Sequence, residues 1–416
     1  MALALALVAS ADAGKPGGGS TGPEFTLTNL GAATVYCIDD EGVVGGERLE
    51  SDGFFHPILI VPSDEDGNGR PDCWFKDADN DGINDLMAAL PFLGGTESSL
   101  EGRVNAASGG LYVGGSTSNV LSEYGYPKGH ACLWMDDDGD GFPEAHDLGV
   151  SLTGVGSVAY AVNDDGWVLV KSGVGQTNSY LIVPVDGVWN DEESDFSDAD
   201  GVNDLMIYLG DSVSAVDIAD DGRIVCNKGS GVVLLSPSDA DGDGIPDSFS
   251  ETALTGLGGD TSARSIHSSG RVAGSSFDGS AVHAVHWKPD LSIVDLGAPS
   301  RGFTACAMDL FVDGTGTTCV VGKENKPPKN SHGTPTTGTN VGLYWVGTTK
   351  YVLYSQLTDK TGLAGIENAT DVGVARLAAC RGKGSQRRDR PPSRARPFTG
   401  LEQACEERAS AAPLKS

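Results

Sequence analysis

Short β-forming runs alternate with glycine-centred turns along most of the chain, and the stretch 215–259 shows the repeating unit whole. Ile218 and Ile224-Val225 flank Asp220-Asp221-Gly222, an acidic turn between β-formers that predicts a hairpin. An apolar run from Val232 to Leu235 follows and ends at Pro237. After an acidic loop, a last apolar segment from Leu254 to Leu257 closes on Gly258-Gly259. Hairpins of the same kind span 35–45 and centre on Gly109, Gly166, Gly222, Gly270, Gly314 and Gly373. The third segment recurs from His56, His130, Ser179, Val232, His283 and Gly342. Within it Trp134, Trp287 and Trp345 occupy one position, which Ile60, Ile182 and Leu235 fill elsewhere. Large apolar groups at one repeat position predict core packing between sheets. His56, His130 and His283 begin this segment and predict strand-edge hydrogen bonds rather than metal ligation. The fourth segment is a short apolar run before Leu-Gly, at Leu93, Leu148, Leu209, Leu257 and Leu296.

Four short strands per unit, repeated about seven times, predict an all-β protein built as a β-propeller of about seven four-stranded blades, six being possible. Radial repetition protects strand edges that an open sheet would expose. A β-solenoid is the alternative, although its coils are usually shorter and more even. Phe25 to Leu30 reads as a closing segment standing alone, able to complete the last blade and join the chain ends. The start, 1–13, has the apolar run and small-residue site of a signal-peptide remnant without its basic n-region, with an apolar strand as the other reading. A Gly-rich linker covers 14–23, the repeat region 24–380, and a basic tail of disordered composition 381–416.

Charge narrows the partners. The chain of 416 residues carries a formal net charge of −30, which disfavours nucleic acid and anionic membrane surfaces. No apolar run reaches the roughly 18 residues of a membrane helix, so no membrane insertion is expected. Of the eight cysteines, Cys306 and Cys319 flank a hairpin and are the candidate bridge, while the others show neither CxxC nor zinc spacing.

Much of the acid sits in loops with oxygen donors at positions 1, 3, 5 and 9 and Gly at position 6. They are Asp64, Asp66, Asn68 and Asp72; Asp77, Asp79, Asp81 and Asp85; Asp136, Asp138, Asp140 and Glu144; and Asp239, Asp241, Asp243 and Asp247. Alternate residues in a tight loop turn carboxylates inward, Gly permits the bend, and a carbonyl adds an oxygen; all-oxygen sets favour Ca2+. Four converging carboxylates repel one another by an amount comparable with a domain's stability margin, so without a cation such a loop must spread. Position 12 holds Phe75, Ala88, Asp147 and Ser250 where an EF-hand would place Glu, so paired EF-hand helices are not expected. With Asp at position 9, the loops look instead like those of thrombospondin type 3 or dockerin repeats. A fifth, degenerate copy has Asp198, Asp200 and Asp204, with Phe196 at position 1. All five lie between third and fourth segments, so they are expected on one side of the propeller.

Ala159 to Val168, His130 to Trp134, His283 to Trp287 and Asp295-Leu296-Gly297 resemble the hairpin, His-Ala-Phe-Leu-Trp strand and Asp-Leu-Gly segment of the HAF-repeat family of bacterial extracellular proteins. The resemblance covers about residues 25–376. It implies a secreted, propeller-like repeat protein and no particular reaction or ligand. Gly-x-Ser-x-Gly occurs only within the Gly-rich linker, at 18–22, and no HExxH or P-loop is present. The expectation is therefore a secreted calcium-binding propeller, non-catalytic, acting in adhesion or recognition at a cell surface or matrix. A structural subunit of a calcium-stabilised extracellular filament or coat is the first alternative, and a propeller hydrolase acting on glycans the second. Expected partners are calcium ions, a glycan or surface protein, and further copies of the chain.

Overall fold

Val, Ile, Leu and Trp concentrate in runs of about five to eight residues, bounded by turns that require positive φ. Such runs can bury both faces only by pairing into sheets that are then stacked. A computed structural model of the protein shows this arrangement. It describes residues 5–10, 24–39, 41–67, 71–93, 102–121, 127–149, 156–172, 178–190, 203–298, 304–313, 315–326 and 339–352. Among them lie six four-stranded antiparallel sheets, each with its strands in sequence order, and one two-stranded sheet. No described residue is helical.

Blade 1 comprises Thr34–Ile38, Val44–Leu49, Phe55–Ile60 and Met87–Ala89, and blade 2 comprises Gly102–Ser108, Leu111–Leu121, Pro127–Met135 and Glu144–Asp147. Blade 3 is Ser157–Val162, Val168–Ser172, Asn178–Ile182 and Met206–Tyr208; blade 4 is Val213–Ile218, Ile224–Lys228, Gly231–Ser238 and Ser248–Leu254. Blade 5 is Thr261–Ile266, Val272–Phe277, Val282–Trp287 and Ile293–Gly297; blade 6 is Ala305–Val312, Thr318–Lys326, Thr339–Val346 and Thr349–Val352. Every unit closes as its own meander, the plan of a propeller and not of a solenoid, whose sheets would run across successive coils. The described blades number six rather than about seven. The seventh hairpin, around Gly373, and the basic tail lie outside the described residues.

Most hydrophobic layers join one blade to the next, while one, around Val44, Ile58, Ile60 and Trp74, lies within blade 1. Val104 and Trp134 of blade 2 pack with Leu59 and Leu90 of blade 1. Ala215, Ile224 and Leu235 of blade 4 pack with Leu169 and Leu181 of blade 3. Ala307 and Trp345 of blade 6 pack with Ala273 and Ala284 of blade 5. Strand register confirms the repeat position of the tryptophans. Trp134, Trp287 and Trp345 stand opposite Tyr112, Val272 and Val320, as Ile60, Ile182 and Leu235 stand opposite Val44, Val168 and Ile224. All six side chains are buried. Each tryptophan also donates its indole N–H to the preceding blade: Trp134 to the Pro91 carbonyl at 2.8 Å, Trp287 to Thr255 at 2.8 Å and Trp345 to Leu296 at 3.1 Å.

Two expectations, the first and third below, are corrected, and the second falls partly outside the described residues. The closing leucines of blades 1 and 4 are Leu90 and Leu254, not Leu93 and Leu257. Leu90 N–H bonds the Pro57 carbonyl at 2.8 Å as Leu148 N–H bonds Ala131 at 3.0 Å, and Leu254 pairs with Val232. Pairing with the third strand places these leucines, and in blades 1 and 4 no glycine follows them directly. Second, Glu24–Asn29 pairs with Leu5–Ser10 as a separate two-stranded sheet, while Thr349–Val352 supplies the fourth strand of blade 6. The seventh unit, which the lone segment was expected to complete, lies outside the described residues. Third, Cys306 and Cys319 form no disulfide. In the ladder Cys306 stands opposite Lys323 and Cys319 opposite Phe311. Several residues at about 3.4 Å each put the pair beyond the ~7 Å a disulfide can span.

Candidate cation loops

In a four-stranded meander the first hairpin turn and the third-to-fourth connection fall at the same end of the sheet. All the acidic loops occupy that connection, in blades 1, 2 and 4 and, for the fifth copy, in blade 3. Hairpin turns add acid to the same end, at Asp39, Asp164, Asp220 and Asp313. Neighbouring turns are stitched together. Ser108 Oγ donates to Asp164 Oδ1, and Asn163 Nδ2 donates to the Ala219 carbonyl at 3.1 Å.

Within each loop the backbone turns the carboxylates inward. Glycine at position 6 adopts positive φ, 83° at Gly82, 89° at Gly141 and 90° at Gly244. Position 4 does so as well, through Gly67, Asn80, Gly139 and Gly242; the donor pattern alone did not reveal this second bend. The position-1 carboxylate accepts the glycine N–H at position 6, from Gly82 to Asp77 at 3.1 Å, Gly141 to Asp136 at 3.0 Å and Gly244 to Asp239 at 3.0 Å. The position-9 carboxylate accepts the N–H of position 2: Glu65 to Asp72 at 3.0 Å, Ala78 to Asp85 at 2.7 Å, Asp137 to Glu144 at 3.0 Å and Ala240 to Asp247 at 2.6 Å. The N–H groups of Gly244 and Gly242 hold the Asp239 carboxyl below its ordinary pKa, so it stays ionised.

Three carboxylates converge in each of the four complete loops, with oxygens within 4.8 Å of one another: Asp64, Asp66 and Asp72; Asp77, Asp79 and Asp81; Asp136, Asp138 and Asp140; and Asp239, Asp241 and Asp247. The groups suit a metal ion. Asp77 Oδ1 is buried and receives no hydrogen bond from the described residues, which leaves it open to a cation or a water. Of the other expected ligands, Asp85 and Glu144 bond backbone at the loop mouth, and Asp243 accepts Ile245 N–H at 2.8 Å. Asn68, Asp198 and Asp200 lie outside the described residues; Asp204 follows the buried Asn203 at the end of the fifth copy.

One further feature of these loops was not read from the sequence. Asn84 and Asn203 occupy position 8, where the other loops have Pro71, Pro143 and Pro246. Asn84 Nδ2 donates to the carbonyls of Leu30 at 3.2 Å and Trp74 at 2.8 Å; Asn203 Nδ2 donates to Leu148 at 3.0 Å and Trp189 at 2.7 Å. Leu148 closes the preceding blade. In blades 1 and 3, then, a loop asparagine meets the carbonyl region that a strand tryptophan reaches in blades 2, 5 and 6. The local signal was the shared Asn-Asp-Leu-Met at 84–87 and 203–206. The strand-entry histidines pair with carboxylates outside the clusters. His56 lies 2.8 Å from Asp52, His130 2.9 Å from Asp147, and His283 2.8 Å from Asp295.

Fold and loops together define an all-β propeller bearing acidic cation-type loops at one end. No family model and no curated protein matches the chain. Among solved structures it is similar to puromycin hydrolase, at 16% identity and a TM-score of 0.33, covering 78% of this chain and 53% of that one. It is also similar to an ulvan lyase of a new polysaccharide lyase family, at 9% identity and a TM-score of 0.26, covering 77% and 72%. The chain thus spans about half the length of the hydrolase. These two similar structures are enzymes, and the expectation of a non-catalytic adhesion or recognition protein is set aside, with no reaction assigned to this chain at such TM-scores.

Proposed function

We propose that the chain is a calcium-binding propeller in which Ca2+ orders the acidic end, one ion to each complete loop. The observation that carries this reading is the fourfold recurrence of three carboxylates with oxygens within 4.8 Å, each cluster in the same connection of a blade. Oxygens on opposite sides of one Ca2+ lie up to about twice its ~2.4 Å ligand distance apart, whereas Mg2+ demands a tighter octahedron and keeps its waters. Position 12 lacks the bidentate Glu of an EF-hand, which supports affinities in the ~10⁻⁴–10⁻³ M range of extracellular modules. The register shared by Trp134, Trp287 and the Asp-Leu-Gly segments supports assignment to the HAF type of repeat.

Metal content by mass spectrometry and melting with and without a chelator test the reading. At calcium about tenfold above Kd, each site adds about 1.4 kcal/mol, so the melting temperature should fall on chelation. A protein that carries no ion at millimolar calcium and melts unchanged would sink the proposal.

In place of adhesion, the second reading is a hydrolase or lyase acting on glycans. Hydrolase and lyase activities among the similar structures suggest it, while low TM-scores assign no reaction. A turnover screen on sulfated and uronic-acid polysaccharides tests it; absence of product across the panel removes it.

A further inference from the structure

A cavity of about 220 Å³ opens where the acidic loop of blade 2 meets the third-to-fourth connection of blade 3. Met135, Asp137, His146, Asp147, Trp189 and Asn190 line it. Its charge is negative: of these residues only His146 can become cationic, and it lies 2.8 Å from Asp137. Asp147 binds His130 and the Gly149 N–H at 2.8 Å, which leaves lone pairs on a carboxylate that can accept about four bonds. Trp189 commits its indole N–H to the Gly166 carbonyl at 2.7 Å, so what it offers a ligand is its π surface. Asn190 is buried and donates to the Asp147 carbonyl at 3.0 Å, fixing the wall beneath the carboxylate. The volume is below the roughly 300–1,000 Å³ of drug-sized sites. Its enclosed part admits one side-chain-sized group.

We propose that this cavity binds an alkylammonium group, carried by a free diamine or by a lysine side chain of a partner. The ammonium donates charge-assisted hydrogen bonds to Asp137 and Asp147, and its stem lies on Met135 and Trp189. The site goes beyond the calcium reading and rests on it only because Asp137 belongs to a loop that the ion would order.

Calorimetry on the full chain in millimolar calcium, with metal content measured first, tests the site. The probes are cadaverine, N-acetyl-lysine-N-methylamide and its neutral norleucine counterpart. At least one amine should bind saturably and the norleucine compound should not. Tighter binding of cadaverine identifies a free diamine, and tighter binding of the lysine amide identifies a peptide side chain. Asp137→Asn should weaken the amine roughly tenfold at unchanged calcium content. The norleucine comparison needs no variant, so it decides even where Asp137→Asn disturbs the loop. No saturable heat from either amine at millimolar concentration, or equal binding of the norleucine compound, overturns the proposal. Amine binding by a protein that carries no calcium would overturn the calcium reading and leave this one standing.

Discussion

His283 and Asp295 are two halves of one device. Asp295 Oδ1 faces His283 Nδ1 at 2.8 Å and also accepts the Gly297 N–H at 2.7 Å. His130, Asp147 and Gly149 repeat the arrangement. One carboxylate therefore anchors the entry of the third strand and caps the turn after the fourth. Other single residues are equally committed. Asn203→Ala removes two donated bonds and the acceptor for Leu205 N–H at 2.9 Å. It should cost about 2–4 kcal/mol in urea unfolding, because buried carbonyls lose their donor. His286 behaves differently. Burial first, then the nearby Arg271 and Lys288 charges, push its imidazole from 6.5 down to about 4. The folded state therefore excludes a proton that the unfolded chain takes up. Stability should fall as pH drops from about 6.5 to about 4 and level off below. Replacing His286 by Gln should remove that part of the slope in melts followed across the range.

At the scale of the strand, one irregularity recurs in every blade. The first strand bulges between Val35 and Cys37, Val104 and Ala106, Ala159 and Ala161, Ala215 and Asp217, Ala263 and Ser265, and Ala307 and Asp309. A bulge bends a strand and sharpens its twist, and repetition at one register gives each blade the same curvature. Opposite it in four blades stand Gly46, Gly114, Gly274 and Gly322. A Cβ there would collide with the carbonyl oxygens of Thr34, Arg103, Ser262 and Cys306. Blades 3 and 4 carry Val170 and Cys226 in that place, so the close approach belongs to the glycine-bearing blades alone. Gly114→Ala should destabilise by roughly 1–3 kcal/mol, the range of overpacking, whereas alanine at exposed Ser280 should change little; chemical denaturation of both checks this.

Across the molecule as a whole, most of the described hydrophobic layers lie between blades. Because both faces of most blades are covered, third segments such as Val232–Leu235 are continuous apolar runs instead of alternating ones. The acid is gathered at one end, where the loops face their own repulsion. Asp241→Asn should lower the calcium count by one and leave the other three loops loaded, as read by equilibrium dialysis; loss of all ions together would mean that the loops act as one site.

Much of this was legible in the linear chain. Alternation of short apolar runs with acidic glycine turns specified strands and hairpins, because those preferences are local steric properties of the backbone. The spacing of Asp239, Asp241, Asp243 and Asp247 specified a cation-type loop for the same reason: nine consecutive residues suffice to build it. Other features needed residues far apart to meet. Which leucine closes a blade depends on pairing with a strand across the loop, and the fate of Cys306 and Cys319 depends on ladder register. That a loop asparagine replaces a strand tryptophan, or that Asp137 and Trp189 share one cavity, follows only from the packing of neighbouring blades. Local chemistry is written in neighbouring letters, whereas register and inter-blade contact emerge once the chain has folded back on itself.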